Sequence, residues 1–339
     1  MVFEEIINYF KSVVVRVRAQ LSKGVSLATR PGLCCFNVDS RYIHLAYVVV
    51  EDGKRQLLVC ESERYDAEIG WISVLRALVQ RHHLENVRCS WVLSPQNFHM
   101  ILTEELPVTA AEFQSAIRWK IKASLSFPVE EAVIDSFLIP PKKSITTNDN
   151  LMVIAAQKSF LQPTSEKIIA AGLRLNIIDI SILALKNISS LYETDEKSTA
   201  LVFLQAQSCR LIITCQKQLY FVRAFDCNAE ELAGGNVLDD NNKKFILDKL
   251  ALDIQRSFDY YQSAWRQPQP ARLLFGAIDH VAPDVIDYLS QHLPTPLTRL
   301  NTESYLQANK EITQERQNKC LLAIGGALRV EALDHVAAN

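Results

Sequence analysis

The chain has 339 residues, of which 48% are apolar and 22% charged, and a formal net charge of −2. That length holds two domains or one elaborate one with ample core, and the composition is that of a soluble globular protein. A near-neutral balance gives no reason to expect nucleic acid as a partner. No apolar run approaches the roughly 18 to 20 residues that span a bilayer, and Glu4, Glu5 and Lys11 interrupt the N-terminal apolar residues, so no signal peptide is expected.

Residues 3–22 have the spacing of an amphipathic helix, with Phe3, Ile6, Ile7, Phe10, Val14, Val17 and Leu21 on one face. Lys11, Arg16, Arg18 and Lys23 flank that face, a pattern that fits peripheral contact of residues 1–25 with an anionic membrane and equally fits packing on the chain's own domain or on another copy. Three strand-like runs follow, "GLCCFNV", "YIHLAYVVV" and "RQLLVCES", the last two joined by the hairpin signal Glu51-Asp52-Gly53-Lys54. A helix is predicted around 66–83, with His82-His83 at its end beside the terminal carbonyls, and then a buried strand "CSWVLS". Thr109 followed by Glu112 is a capping box, and the helix it opens carries Phe113, Ile117 and Ile121 on one side and is expected to stop at Phe127-Pro128. "AVIDSFLI" and "LMVIAA" read as strands on either side of a polar loop at 141–150. A helix over 162–171 ends at Gly172, as a C-terminal cap would.

A second meander, "ALVFLQA", "CRLIITCQ" and "QLYFVRAF", repeats the layout of the first. It is followed by a long helix with Leu247, Leu250, Ile254, Phe258 and Tyr261 at helical spacing, a buried strand "ARLLFGAI", a helix over 283–292, and the terminal element "CLLAIGGALRV". Two similar halves point to duplication, with a ligand-binding cleft expected between them. The eight cysteines form no C-x-x-C pair and mostly sit in apolar strand-like runs, which fits reduced, buried thiols in a cytosolic protein. The vicinal pair Cys34-Cys35 is the alternative, a redox site, but neighbours on a strand face opposite ways. Gly234-Gly235 has no following lysine and reads as a loop. No Ser/His/Asp, Cys/His or metal-spaced set stands out, so no catalytic residue and no metal is expected.

The duplicated layout resembles the actin- and FtsA-like ATPase superfamily. "EFQSAIRWKIKASLSFPVEEAVIDSFLI", "LMVIAAQKSFLQPTSEKIIAAGLRLNIIDISILAL", "LALDIQRSFDYYQSAW" and "LLAIGGALR" resemble its pilus-assembly branch, the PilM family, with its MSHA-pilus relative MshI. These stretches run in family order and cover most of residues 30–330. The resemblance implies an α/β, duplicated actin-like (FtsA/PilM-like) fold, with two lobes around a central cleft and an inserted small α+β subdomain. The corresponding boundaries are an N-terminal helix at 1–27, a first lobe at 28–198 with the insertion at about 95–177, a second lobe at 199–317, and a C-terminal element at 318–339 returning to the first lobe.

In the active members of the superfamily each first meander turn reads aspartate, apolar, glycine, and the first closes near a lysine. The glycines let backbone N–H groups reach phosphate oxygens, and the aspartates hold magnesium or its waters. Here the first turn is Asn37-Val38-Asp39, with His44 at the lysine position, and the second is Phe203-Leu204-Gln205. The adenosine-side double glycine falls at Gly276-Ala277, followed by Asp279. A carboxylate about 4 Å from one phosphate charge costs roughly 1 kcal/mol in water and about 4 at an effective dielectric of 20, or about fivefold to a thousandfold in affinity. Asn37 and Asp39 also suit plain turn formers, since their side chains bond local backbone, and His44 suits a packed strand histidine.

The resemblance therefore implies a pseudo-ATPase without cofactor. It would be a cytoplasmic adaptor at the inner face of the inner membrane, in a type IV (MSHA-like) pilus assembly machine. Its partners would be the short cytoplasmic N-terminal peptide of a PilN-like inner-membrane protein and an assembly ATPase. The alternatives are a working ATPase of the same machinery and a type II secretion scaffold like GspL. In "AIRWKIKASLSFP" the shared face of Ile117 and Ile121 directs Arg118, Trp119 and Lys122 elsewhere, which nominates these three for the peptide; the plainer reading makes Trp119 core and the cations solvated.

Overall fold

The computed structural model describes residues 31–66, 68–143, 149–194, 196–205, 208–227, 232, 240–277 and 283–329. The helix expected at 3–22, Gly234-Gly235 and Asp279 lie outside them. The chain divides into two compact units, Met1–Ile139 with Asn148–Ala184 and Leu322–Asn339, and Pro140–Thr147 with Leu185–Leu321.

The first unit opens with β1 (Leu33–Val38), β2 (Tyr42–Glu51) and β3 (Lys54–Arg64), an antiparallel meander in which Phe36 faces Leu45 and Asn37 faces His44 across the first pair. Helix α1 (Trp71–Arg81) starts after Gly70, whose φ of +71° is a backbone state that favours glycine, so it is shorter than the 66–83 expected. Strand β4 (Arg88–Leu93) joins β1 in parallel.

A smaller element set follows: β5 (His99–Glu104), α2 (Ala110–Ile121), β6 (Ala132–Leu138) and β7 (Asp149–Gln157), with the strands in order β5-β7-β6, all antiparallel. Helix α2 buries Phe113, Ile117 and Ile121 on Leu151, Val153 and Ala155 of β7, the face its apolar spacing predicts. It does not run to Phe127-Pro128. It tightens into a 3-10 turn at Lys122–Ser124, and Leu125 is extended. The extension lets Leu125 pack against the same apolar cluster.

Helix α3 (Lys158–Ala170) begins four residues before the expected start and carries Pro163 inside it. Pro163 removes one i→i−4 bond, but the earlier turn buries Leu161 and places Phe160 5.7 Å from the ring of Trp91. Strand β8 (Arg174–Ile180) adds beside β4, so the unit's main sheet runs β3-β2-β1-β4-β8. Helix α4 (Ser181–Ser189) follows directly.

The second unit repeats the plan with β9 (Thr199–Gln205), β10 (Ser208–Cys215) and β11 (Gln218–Phe225) as an antiparallel meander. Helix α5 (Asp240–Trp265) buries Leu247, Leu250, Ile254, Phe258 and Tyr261, as the spacing predicts. Its terminal Trp265 is buried and donates its indole N–H to the Pro140 carbonyl at 2.7 Å. Strand β12 (Arg272–Ala277) pairs in parallel with β9. Then come α6 (Pro283–His292) and β13 (Leu297–Arg299), which completes the order β11-β10-β9-β12-β13. Third, second, first, fourth, fifth is the strand order in both sheets, the topological signature of the duplication. Helix α7 (Gln314–Lys319) precedes α8 (Leu321–Ala327), which contains the double glycine. A Cβ on Gly325 would lie 2.2 Å from the Ala184 carbonyl oxygen, and one on Gly326 2.3 Å from Cys35 Sγ. The glycines are there for close packing of α8 against α4 and β1.

Candidate functional site

The two turns that the resemblance assigns to phosphate come first. In the β1–β2 turn, Asp39 Oδ1 accepts the backbone N–H groups of Arg41 (2.8 Å) and Tyr42 (2.6 Å). Its Oδ2 accepts from His44 Nε2 at 3.0 Å. The Asp39 N–H donates to the Tyr42 carbonyl at 3.0 Å, and Tyr65 Oη donates to the Asp39 carbonyl at 2.6 Å. Burial alone would raise the Asp39 carboxyl, but the bonds from His44, Arg41 and Tyr42 outweigh it and hold the group below the usual carboxylate value. A phosphate cradle needs backbone N–H groups that point at the ligand. Here those of residues 39, 41 and 42 are already engaged within the turn, and a carboxylate stands at its centre. Asn37 and His44, which face each other across β1 and β2, are buried, and Asn37 Oδ1 and His44 Nδ1 have no protein partner.

The second turn differs in kind. Phe203 stands in register with Gly276 on the neighbouring strand and is buried. A Cβ on Gly276 would lie 3.2 Å from Phe203 Cδ2 and 3.3 Å from Leu321 Cδ2. Gly276, which the resemblance puts on the adenosine side, is thus covered by the Phe203 ring. Gln205 is half-buried at the end of β9.

The third candidate is α2. Its N-terminus is fixed by the capping box: Glu112 Oε2 accepts from Thr109 Oγ1 (2.8 Å) and from the Thr109 N–H (3.2 Å), and these bonds lower the Glu112 carboxyl. The three residues nominated near its C-terminus have different fates. Arg118 turns inward, its Nη1 donating to the carbonyls of Val129 (2.8 Å) and Ala132 (3.0 Å), so it ties the helix to the start of β6. Trp119 is 81% exposed. Lys122 is exposed in the 3-10 turn, and Lys120, unremarked in the sequence, is exposed beside the indole with its ammonium 3.7 Å from Glu104.

Among the described residues no cluster of three or more His, Cys, Asp and Glu is arranged to hold a metal, and no helix is long and apolar enough to cross a membrane. All eight cysteines are buried free thiols. Burial, with Cys34 and Asp179 nearby, pushes the Cys35 thiol well up. Sequence reasoning missed two contacts, Phe203 on Gly276 and His44 on Asp39. Strand alternation was the available signal, since it puts residues 37, 39 and 44 at one end of one strand pair.

No protein-family model matches the chain, and no curated protein matches it. Among solved structures it is similar to the PilM–PilN type IV pilus biogenesis complex, at 16% identity over 88% of this chain and 98% of that one, with a TM-score of 0.68. It also aligns with the cytoplasmic domain of EpsL, an inner-membrane component of the type II secretion system of Vibrio cholerae, at 11% identity over 85% and 94% of the two chains and a TM-score of 0.43. A Bacteroides thetaiotaomicron protein with an actin-like ATPase fold aligns at 8% identity over 88% and 100%, with a TM-score of 0.48. Identities this low speak to fold alone, and the fold is actin-like α/β.

Proposed function

We propose that this chain is a non-catalytic adaptor of a type IV pilus assembly machine of the MSHA kind, working at the cytoplasmic face of the inner membrane. It would take up the short cytoplasmic N-terminal peptide of a PilN-like membrane protein. The observation that carries the non-catalytic half is the state of the two turns. The Asp39 carboxylate and its own hydrogen bonds fill the first, and Phe203 on Gly276 fills the second with hydrocarbon. Magnesium-nucleotide binding needs the opposite in both places, free N–H groups and carboxylates aimed at the metal.

The peptide half is supported by the likeness to the PilM–PilN complex and by Trp119. An indole that is 81% exposed leaves most of a large apolar surface in water, and a partner that covers it gains that burial. Lys120 and Lys122 beside it favour an acidic or carbonyl-rich segment. Arg118 has no part in this contact, because its guanidinium holds Val129 and Ala132.

The test is a fluorescence titration with the cytoplasmic N-terminal peptide of the single-span membrane protein encoded beside this chain. The wild type is expected to bind, and Trp119→Ala to bind at least about tenfold more weakly with folding stability unchanged within about 0.5 kcal/mol. Absence of wild-type binding would remove the adaptor reading. Unchanged binding by Trp119→Ala would remove only the site.

A further inference from the structure

The connection between β6 and β7 leaves the sheet it serves. Those strands belong to the first unit, whereas Pro140–Thr147 belongs to the second. Its first residues, Pro140-Pro141-Lys142-Lys143, lie along the C-terminal end of α5. Trp265 donates its indole N–H to the Pro140 carbonyl at 2.7 Å, and the Lys143 N–H donates to the Ala264 carbonyl at 2.8 Å. Between these two bonds the Lys142 ammonium stands 5.9 Å from the centre of the Tyr260 ring and 5.8 Å from that of Trp265. The two rings are 6.2 Å apart and nearly perpendicular, at 84°, so they make two walls of a corner around one cation. Phe221 of β11 backs both walls, 5.7 Å from Tyr260 and 6.4 Å from Trp265.

Aromatic grooves read proline segments through the same chemistry, because such a segment is already extended and loses little entropy on docking. Pro141 restricts Pro140 to extended backbone, which presents the Pro140 carbonyl to a donor. The lysines suit the helix end as well. Helix α5 has no basic residue in its last turn, and its terminal carbonyls lack intrahelical donors and carry the negative end of the helix dipole. Lys142 and Lys143 bring cations there, and the Lys143 N–H supplies a donor. Pro140 and Lys142 are half-buried, and Pro141 and Lys143 are exposed. The segment therefore lies on the second unit as a strap and contributes no side chain to its core.

We infer that the Tyr260–Trp265 corner is a recognition site for an extended proline–lysine segment, and that the chain's own Pro140–Lys143 occupies it as a reversible internal ligand. The Lys142 charge is its point of control. An uncharged side chain there keeps both backbone bonds and loses the attraction to both rings. Tethering gives the strap an effective concentration of about millimolar order, so a strap that is mostly seated has an intrinsic Kd below that and keeps out external segments of the same chemistry.

The indole N–H signals of the full chain test this, since it has four tryptophans and Trp265→Phe assigns the one concerned. Lys142→Gln is expected to speed exchange of the Trp265 indole proton with water by about threefold or more, and Lys142→Arg, which keeps the cation, to leave it within about twofold of wild type. A second variant empties the corner by Pro140→Gly, Pro141→Ser, Lys142→Gly and Lys143→Ser together. An amidated peptide of residues 138–143 is expected to move the Trp265 signal of that variant back toward its wild-type position with a Kd of about 1 mM or below, and to leave the wild type unmoved. Adding Tyr260→Leu, which removes one wall, is expected to weaken the peptide by about fivefold. Exchange indifferent to Lys142→Gln overturns the inference, as does a peptide that leaves the emptied variant unmoved, one that binds the wild type equally, or one indifferent to Tyr260→Leu. Should the emptied variant not fold, the Lys142→Gln and Lys142→Arg pair decides alone.

Discussion

Asp39 shows how one residue can close a turn by itself. Its carboxylate accepts from Arg41, Tyr42 and His44, which satisfies the loop without any ligand. Its pKa is lowered in the fold, so its contribution to stability is fully present above the unfolded carboxyl value of about 3.9 and is lost as pH falls through the lower folded value. The stability gap between wild type and Asp39→Asn, followed by urea denaturation, is expected to narrow as pH drops from about 4 toward 2. A gap that stays level through that window would show that the carboxylate is not held by these bonds. Of the two readings of Asp39 that were legible in the sequence, the bonds from the N–H groups of Arg41 and Tyr42 bear out the turn former, and the degenerate phosphate turn remains part of the proposed function. The His44 contact was legible only in part: alternation gives the shared end and face of residues 37, 39 and 44, and not which of them bond.

At the scale of elements, apolar spacing fixed the helices that pack along their whole length and blurred those that do not. The buried positions of α5 and α2 follow their period, while the end of α2 and the start of α3 were displaced by tertiary packing of Leu125 and of Phe160 with Leu161. Strand β8 and helix α4 were invisible as separate elements, since "LRLNIIDISILALKNI" runs from one to the other with no Gly or Pro between them, and periods of two and 3.6 are hard to tell apart over runs that short. The double glycine of α8 was legible as a feature and not as a packing device. Gly325→Ala is expected to destabilise the chain by about 1–3 kcal/mol or more, because the added methyl would sit 2.2 Å from backbone that cannot move aside cheaply. Chemical denaturation measures it, and a change under about 0.5 kcal/mol would mean that α8 does not seat on α4 as described.

For the molecule as a whole, duplication was the most legible property, since two meanders with the same punctuation imply two sheets with the same strand order. What the fold is used for depends on a handful of positions. The same sheet order supports an ATPase when its two turns offer N–H groups and carboxylates to magnesium-nucleotide, and a binding module when they do not. Phe203 is buried in register with Gly276 and packs against it, so the end of β9 is closed by hydrocarbon. The most direct measurement is calorimetric titration of the full chain with Mg-ATP. No binding tighter than about 100 μM is expected; a micromolar dissociation constant would contradict the account, because it would require Asp39 and Phe203 both to leave the positions described here.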